Sequence, residues 1–127
     1  MIAVDTSALM AILLGEPMAD ACIEALKTEA HLVISAGTVA EALIVAGWRN
    51  VDQEMTRLID GLGFEIVPVT AVSARHVAEA YARWGKGVHP AGLNFGDCFA
   101  YAVARDHACR LLFVGGDFTK TDLEGVL

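Results

Sequence analysis

The sequence predicts an α/β fold, a three-layer α/β/α sandwich around a central parallel sheet of four to five strands. Two observations predict it. Short apolar runs of β type alternate with longer helical patterns from one end of the chain to the other, the order that gives a parallel sheet covered on both faces. And 127 residues with a hydrophobic share of 55% and a charged share of 20% fit one domain, residues 1–127, with a real core and no disorder.

The elements follow in order. Ile2 to Val4 is a short β-type run. Thr6 to Leu14 reads as a helix opened by Thr6 or Ser7 as caps. Gly15-Glu16-Pro17 breaks it, with Pro17 suited to the first turn of the next helix. Met18 to Glu29 is amphipathic, with Met18, Cys22, Ala25 and Leu26 on one side and Asp20, Glu24 and Lys27 on another. Leu32 to Ile34 is a second strand. Thr38 to Trp48 is a helix that is apolar nearly all round, and Asp52 to Gly61 a more polar one ending at glycine. Phe64 to Val67 is a third strand, after which Thr70 caps a long helix to Trp84. Gly85 to Asn94 is a glycine-rich loop. Phe95 to His107 is an apolar helix, Leu111 to Val114 a fourth strand, Gly115-Gly116-Asp117 a turn, and Val126 the place of a short last strand.

Several function classes fall away. The longest stretches without Asp, Glu, Lys or Arg, such as Thr6 to Gly15, are far short of the ~20 apolar residues a spanning helix needs. The start has no basic region ahead of an apolar one, so no signal peptide is read and the cytoplasm is the expected compartment. Cys22, Cys98 and Cys109 are an odd, scattered set without metal-type spacing, which predicts buried free thiols. No GxGxxG or GxxxxGK[ST] loop is present. A net charge of −7, from 9 basic and 16 acidic residues, opposes binding to nucleic acid by phosphate neutralisation alone. It suits a basic partner, or a site where carboxylates hold a divalent cation.

In open parallel sheets ligands bind beyond the carboxyl ends of the strands. Asp5 directly follows the first strand, and Asp117 follows the fourth by way of two glycines. Asp97 lies in the first turn of the helix from Phe95. Glu41 is the one charged residue between Ala36 and Trp48, and an unpaired carboxylate in such surroundings needs a cation, a base or an open cleft. Each has a plainer reading, as a cap, a turn residue or half of an ion pair. Together they are hard oxygen ligands suited to Mg²⁺ or Mn²⁺. Thr6, Ser7 and Asn94 lie beside them and can hydrogen-bond to ligand carboxylates or simply cap helices.

The segments MIAVDTSALMAIL, SAGTVAEALIV, HPAGLNFGDCFAYAVA and LLFVGGDFTKTDL carry a resemblance that runs from residue 1 to about 123. In them the chain resembles the PIN-domain ribonucleases, and among these the VapC-type toxins of bacterial toxin–antitoxin pairs. The resemblance implies an α/β/α sandwich and a Mg²⁺- or Mn²⁺-dependent endoribonuclease. By motif position it marks Asp5, Glu41 and Asp97 as metal-binding carboxylates and Asp117 as the fourth acidic position. At that fourth position the preceding residue is Gly116, where many relatives carry Asn or Asp, which leaves open whether Asp117 is a ligand or supports one. Thr6 or Ser7 matches the hydroxyl that supports the metal or its water.

The implied chemistry is attack by water, acidified by the ion, on a backbone phosphorus, leaving a 5′-phosphate and a 3′-hydroxyl. The net charge falls from −7 to −3 once four site carboxylates are set aside. Arg83, Lys86 and Lys120 flank the nearest loop and turn as candidate phosphate contacts, a small inventory that predicts a restricted target such as a structured RNA loop. The resemblance also implies a VapB-type antitoxin whose basic side chain enters the carboxylate cluster, and a homodimer for which the helices Thr6 to Leu14 and Thr38 to Trp48 are candidate surfaces. The alternative is a catalytically silent PIN-like module that binds metal or RNA. A haloacid-dehalogenase-like phosphatase would need a second Asp two residues after Asp5, where Ser7 stands.

Overall fold

A computed structural model describes residues 1–127. Its elements are β1 (Ile2–Val4), α1 (Thr6–Leu13), α2 (Ala19–Thr28), β2 (Leu32–Ser35), α3 (Ala36–Trp48), α4 (Asp52–Leu62), β3 (Glu65–Val67), α5 (Ala71–Trp84), α6 (Phe95–Asp106) and β4 (Arg110–Leu112). The four strands form one parallel sheet in the order β3-β2-β1-β4. From β1 the chain steps outward through β2 to β3, then returns across the sheet to place β4 on the other side of β1. The order therefore reverses between β1 and β4, which is where an open parallel sheet leaves a crevice beyond its carboxyl edge.

Side-chain alternation along the strands splits the core into two layers. Ala3, Val33 and Leu111 face α5 and α6, where Trp84, Leu93, Tyr101 and Phe118 complete one cluster. Ile2, Val4, Leu32, Ile34 and Leu112 face the other way, onto Leu9, Met10, Ala42 and Met55 of α1, α3 and α4. The predicted α/β/α sandwich is thus the observed architecture. Its strands are short, and those of the centre are buried on both faces, hence their continuous apolar reading rather than an alternating one.

Several boundaries differ from the sequence reading, each for a local reason. Asp5, not Thr6 or Ser7, caps α1, because its carboxylate accepts the Ser7 amide. α3 begins at Ala36, two residues early, because Ser35 at the end of β2 takes the capping role through its hydroxyl. α4 continues through Gly61 and stops at Gly63, whose φ of +68° lies in the left-handed region that ends helices. β4 ends at Leu112. The last strand expected at Val126 is reduced to a single parallel bridge between Gly125 and Leu111, with the Val126 amide donating to the Leu111 carbonyl. α1 is given to the core, with Ala8, Leu9, Met10 and Ala11 buried, so of the two helices considered as a dimer surface only α3 keeps an exposed apolar side. Cys22 and Cys98 are buried free thiols and Cys109 is half-buried.

Candidate active site

β1 ends at Val4 and the chain turns at once into α1, so Asp5 stands at the carboxyl edge of a central strand. It is 3% exposed. One oxygen, Oδ2, accepts from the Ser7 amide at 3.0 Å and from the Ser7 hydroxyl at 2.6 Å. The Ser7 hydroxyl oxygen in turn accepts from the Val114 amide at 3.0 Å, which fastens the chain leaving β4 to the chain leaving β1. The other oxygen, Oδ1, is buried and has no partner. A buried carboxylate oxygen left unpaired costs free energy unless a proton or a cation meets it. Burial pushes the Asp5 carboxyl up to about 6 against the pull of its Ser7 hydrogen bonds, with Glu41 pushing it further.

Asp97 arrives from the opposite layer. Asn94 and Asp97 form a reciprocal capping box at the start of α6: the Asp97 amide donates to the Asn94 side chain at 2.8 Å, and the Asn94 amide to Asp97 Oδ2 at 3.0 Å. Asp97 is 7% exposed. Burial pushes its carboxyl up to about 7. The Asn94 backbone hydrogen bond opposes this, and the charges of Asp5, Asp117 and Glu41 add to it. The carboxylates that act on this side chain come from positions as far apart in sequence as residue 5 and residue 117.

Glu41, half-buried on the second turn of α3, accepts the Thr6 hydroxyl on Oε1 at 2.6 Å. Its room is made by a glycine: a Cβ at Gly96 would overlap the Glu41 carboxylate. The sequence reading did not single out Gly96, although it lies inside the LNFGDCFAYA segment; its value shows only once α3 and α6 are seen to cross there. Asp117 is exposed, on a turn that Gly115 permits with φ +100° and that the buried Phe118 pins to the core.

Of the candidate cations, Lys86 and Lys120 are exposed. Arg83 is exposed too, lying 4.5 Å over the Trp84 ring and pairing with Asp122 at 3.7 Å.

The carboxylates face one another without three of them closing around a single point at metal-ligand distance. Each is turned partly onto a hydroxyl or an amide, Asp5 onto Ser7, Glu41 onto Thr6 and Asp97 onto Asn94. The donor set nevertheless fits a hard divalent cation. It is all oxygen, it contains one orphaned buried oxygen, and its buried members, Asp5 and Asp97, have proton affinities raised by burial first and by neighbouring carboxylates second.

The PIN domain family model matches residues 2–124. The chain belongs to the PIN-domain family. Within it, this PIN domain is 44% identical over 125 residues to Ribonuclease VapC36 of Mycobacterium tuberculosis, covering 95% of this chain and 90% of that one. The crystal structure of VapC20 of the same organism, described as a sarcin–ricin loop cleaving toxin, superposes with a TM-score of 0.81 at 18% identity over 99% of this PIN domain and 98% of VapC20. VapBC2 of Rickettsia felis, bound to a DNA fragment from its promoter, gives 0.69 at 17% identity over 96% and 94%. The last two likenesses speak to the fold.

Proposed function

We propose that this PIN domain is a divalent-metal-dependent endoribonuclease and the toxin of a toxin–antitoxin pair. The observation that carries the reading is the meeting of Asp5, Glu41 and Asp97, from three elements, at the point where the strand order reverses, with Asp5 and Asp97 buried and raised in proton affinity. The ribonuclease name of a relative at 44% identity supports the choice of RNA.

In this reading Asp5, Glu41 and Asp97 would hold Mg²⁺ or Mn²⁺, with Asp117 beside them as ligand or support. Such an ion, when bound, acidifies water and offsets charge on a phosphoryl group. The remaining work belongs to the chain. Ser7 fixes the Asp5 carboxylate, Thr6 holds Glu41, and the Asn94 capping box sets the direction of Asp97. Arg83, Lys86 and Lys120, all exposed, are the candidates to meet backbone phosphates. Water rather than the ribose hydroxyl as nucleophile leaves a 5′-phosphate and a 3′-hydroxyl.

A chain of net charge −7 with a cluster of carboxylates also suits a basic antitoxin segment, which would neutralise the cluster in the absence of metal. A homodimer belongs to the same reading, with the outward side of α3 at Leu43 as exposed apolar surface.

The test is end-mapping of RNA after incubation with the protein and Mg²⁺ or Mn²⁺, beside EDTA and Asp5→Asn controls. New 5′-phosphate ends that both controls abolish support the reading. Full cleavage by Asp5→Asn contradicts it. Stabilisation by Mn²⁺ with no cleavage of any RNA pool gives the silent binding module instead.

A further inference from the structure

At the amino edge of the sheet, opposite the carboxylates, the fold gathers two histidines around one glutamate. His31 stands one residue before β2, in phase with Val33, and Val33 is in register with Glu65 at the start of β3. Both side chains therefore look to the layer of α6, where Val33 and Val67 pack. α6 itself ends in His107 as its C-cap. Glu65 lies between the two rings: His31 Nε2 is 3.3 Å from its Oε1, and His107 Nε2 is 3.8 Å from its Oε2. The His107 ring is also oriented. Its Nδ1 is 2.9 Å from the Val103 carbonyl, and since a carbonyl only accepts, Nδ1 carries a proton. In the neutral ring Nε2 then turns a lone pair towards a carboxylate oxygen, and two acceptors placed face to face call for a proton or a cation between them.

We propose that His31, Glu65 and His107 form a site for Zn²⁺, separate from the carboxylate cluster and different from it in chemistry. Two imidazole nitrogens and one carboxylate are a ligand set that zinc takes, with water in the fourth position. Bonds of about 2.0–2.1 Å in a tetrahedron put neighbouring ligand atoms about 3.3 Å apart. The contact of His31 with Glu65 already has that length, and the contact of His107 is about half an ångström longer. As they stand the three do not share one point. The His31 and Glu65 side chains, 43% and 51% exposed, have the freedom to turn onto one, while Val103 holds His107 in the tautomer that ligates. A ring N–H bonded to a backbone carbonyl is the usual support of a metal-bound histidine. The all-oxygen cluster at the other edge suits Mg²⁺ or Mn²⁺, whereas imidazole suits zinc, so the two sites select different ions. They are also apart in space: His107 follows Asp97 by ten residues of α6, about 15 Å along the helix axis. The ion ties β2 and β3 to the far end of the helix whose first turn carries Asp97. This site stands independently of the nuclease reading.

The test is titration of the full chain with Zn²⁺ in excess Mg²⁺, which keeps the carboxylate cluster occupied, followed by calorimetry and by the NMR signals of the histidine rings. The expected result is one equivalent of Zn²⁺ bound, with the His31 and His107 rings shifted and the His89 ring, packed against Trp84, unmoved. His31→Gln, Glu65→Gln and His107→Gln should each weaken binding about tenfold or more, and Asp5→Asn should leave it unchanged. Binding should also weaken as pH falls to about 5.5, because both imidazoles must be neutral to ligate. The ring signals are read on the native chain, so they test the site even where a substitution costs stability. Absence of Zn²⁺ binding, rings of His31 and His107 that do not move, or full affinity in all three variants overturns the proposal. Loss of the ion in Asp5→Asn overturns it in favour of the carboxylate cluster. Loss in Cys109→Ser overturns it in favour of that half-buried thiol.

Discussion

Thr6 donates its hydroxyl to Glu41 at 2.6 Å, joining the first turn of α1 to the second turn of α3 across 35 positions of sequence. The bond explains why a lone acidic residue is tolerated in an otherwise apolar helix. It also aims that residue at Asp5, the neighbour of its donor. Thr6→Val keeps the shape and removes the donor. Cleavage should fall about 10- to 100-fold, the usual cost of losing a group that orients a metal ligand. Thr6→Ser should restore most of it. Rates of RNA cleavage for the two variants check this.

Gly96 faces the same carboxylate from the other side. Gly96→Ala improves helix propensity by about 0.5–1 kcal/mol, so the backbone gains by it. The new methyl must displace the Glu41 carboxylate from its place beside Thr6. The expected outcome is a folded protein, melting within a few degrees of the native one, whose cleavage drops by about tenfold or more. Melting curves and cleavage rates on one preparation separate the two effects.

The raised proton affinities of Asp5, about 6, and Asp97, about 7, set a pH dependence. In the unfolded chain both titrate near 3.8. Between about pH 4 and 7 the folded state therefore binds more protons than the unfolded state, and the free energy of unfolding falls as pH rises. The stability these groups give at low pH, on the order of several kcal/mol, is lost as pH climbs through the folded values. Melting temperatures of the metal-free protein should decline over that window, and saturating Mn²⁺ should flatten the decline. Asp97→Asn, which removes one buried charge, should melt several degrees higher than the native chain at pH 8. A stability that rises from pH 4 to pH 7 without metal would contradict the assignment.

A buried chain of hydrogen bonds fixes the C-terminal tail. The Trp84 indole donates to the Tyr101 hydroxyl at 2.9 Å, and that hydroxyl donates to Asp122 at 2.7 Å. Asp122 also takes Arg83 and Arg105 at 3.7 Å each. Tyr101→Phe leaves an indole N–H unpaired and frees the segment that carries Asp117. It should cost about 1–3 kcal/mol in unfolding free energy, with faster amide exchange at residues 115–122 as the local readout.

Much of this was legible beforehand, for definite reasons. The central strands are buried on both sides and so read as apolar runs, and glycines and caps punctuated the helices. The acidic positions stood out because a carboxylate directly after a strand, or alone in an apolar helix, conflicts with plain packing. Other features depend on pairs of elements that only the fold brings together. The opening of α3 at Ser35 was hidden because Ser35 also ends β2, and the residue cannot announce both roles. β4 ends at Leu112, and beyond it the Val114 amide donates to Ser7, a contact over 107 positions that the sequence does not display. Gly96 looked like one more glycine until α3 and α6 were seen to cross beside Glu41.

A metal-dependent nuclease requires Asp5, Glu41 and Asp97 to form one divalent-cation site. Calorimetric titration of the metal-free protein with Mn²⁺ at pH 8, for the native chain and for Asp5→Asn, Glu41→Gln and Asp97→Asn, tests this directly. The native chain should bind saturably, in competition with Mg²⁺, and each substitution should weaken binding at least about tenfold. Binding that all three variants retain at full strength would contradict it.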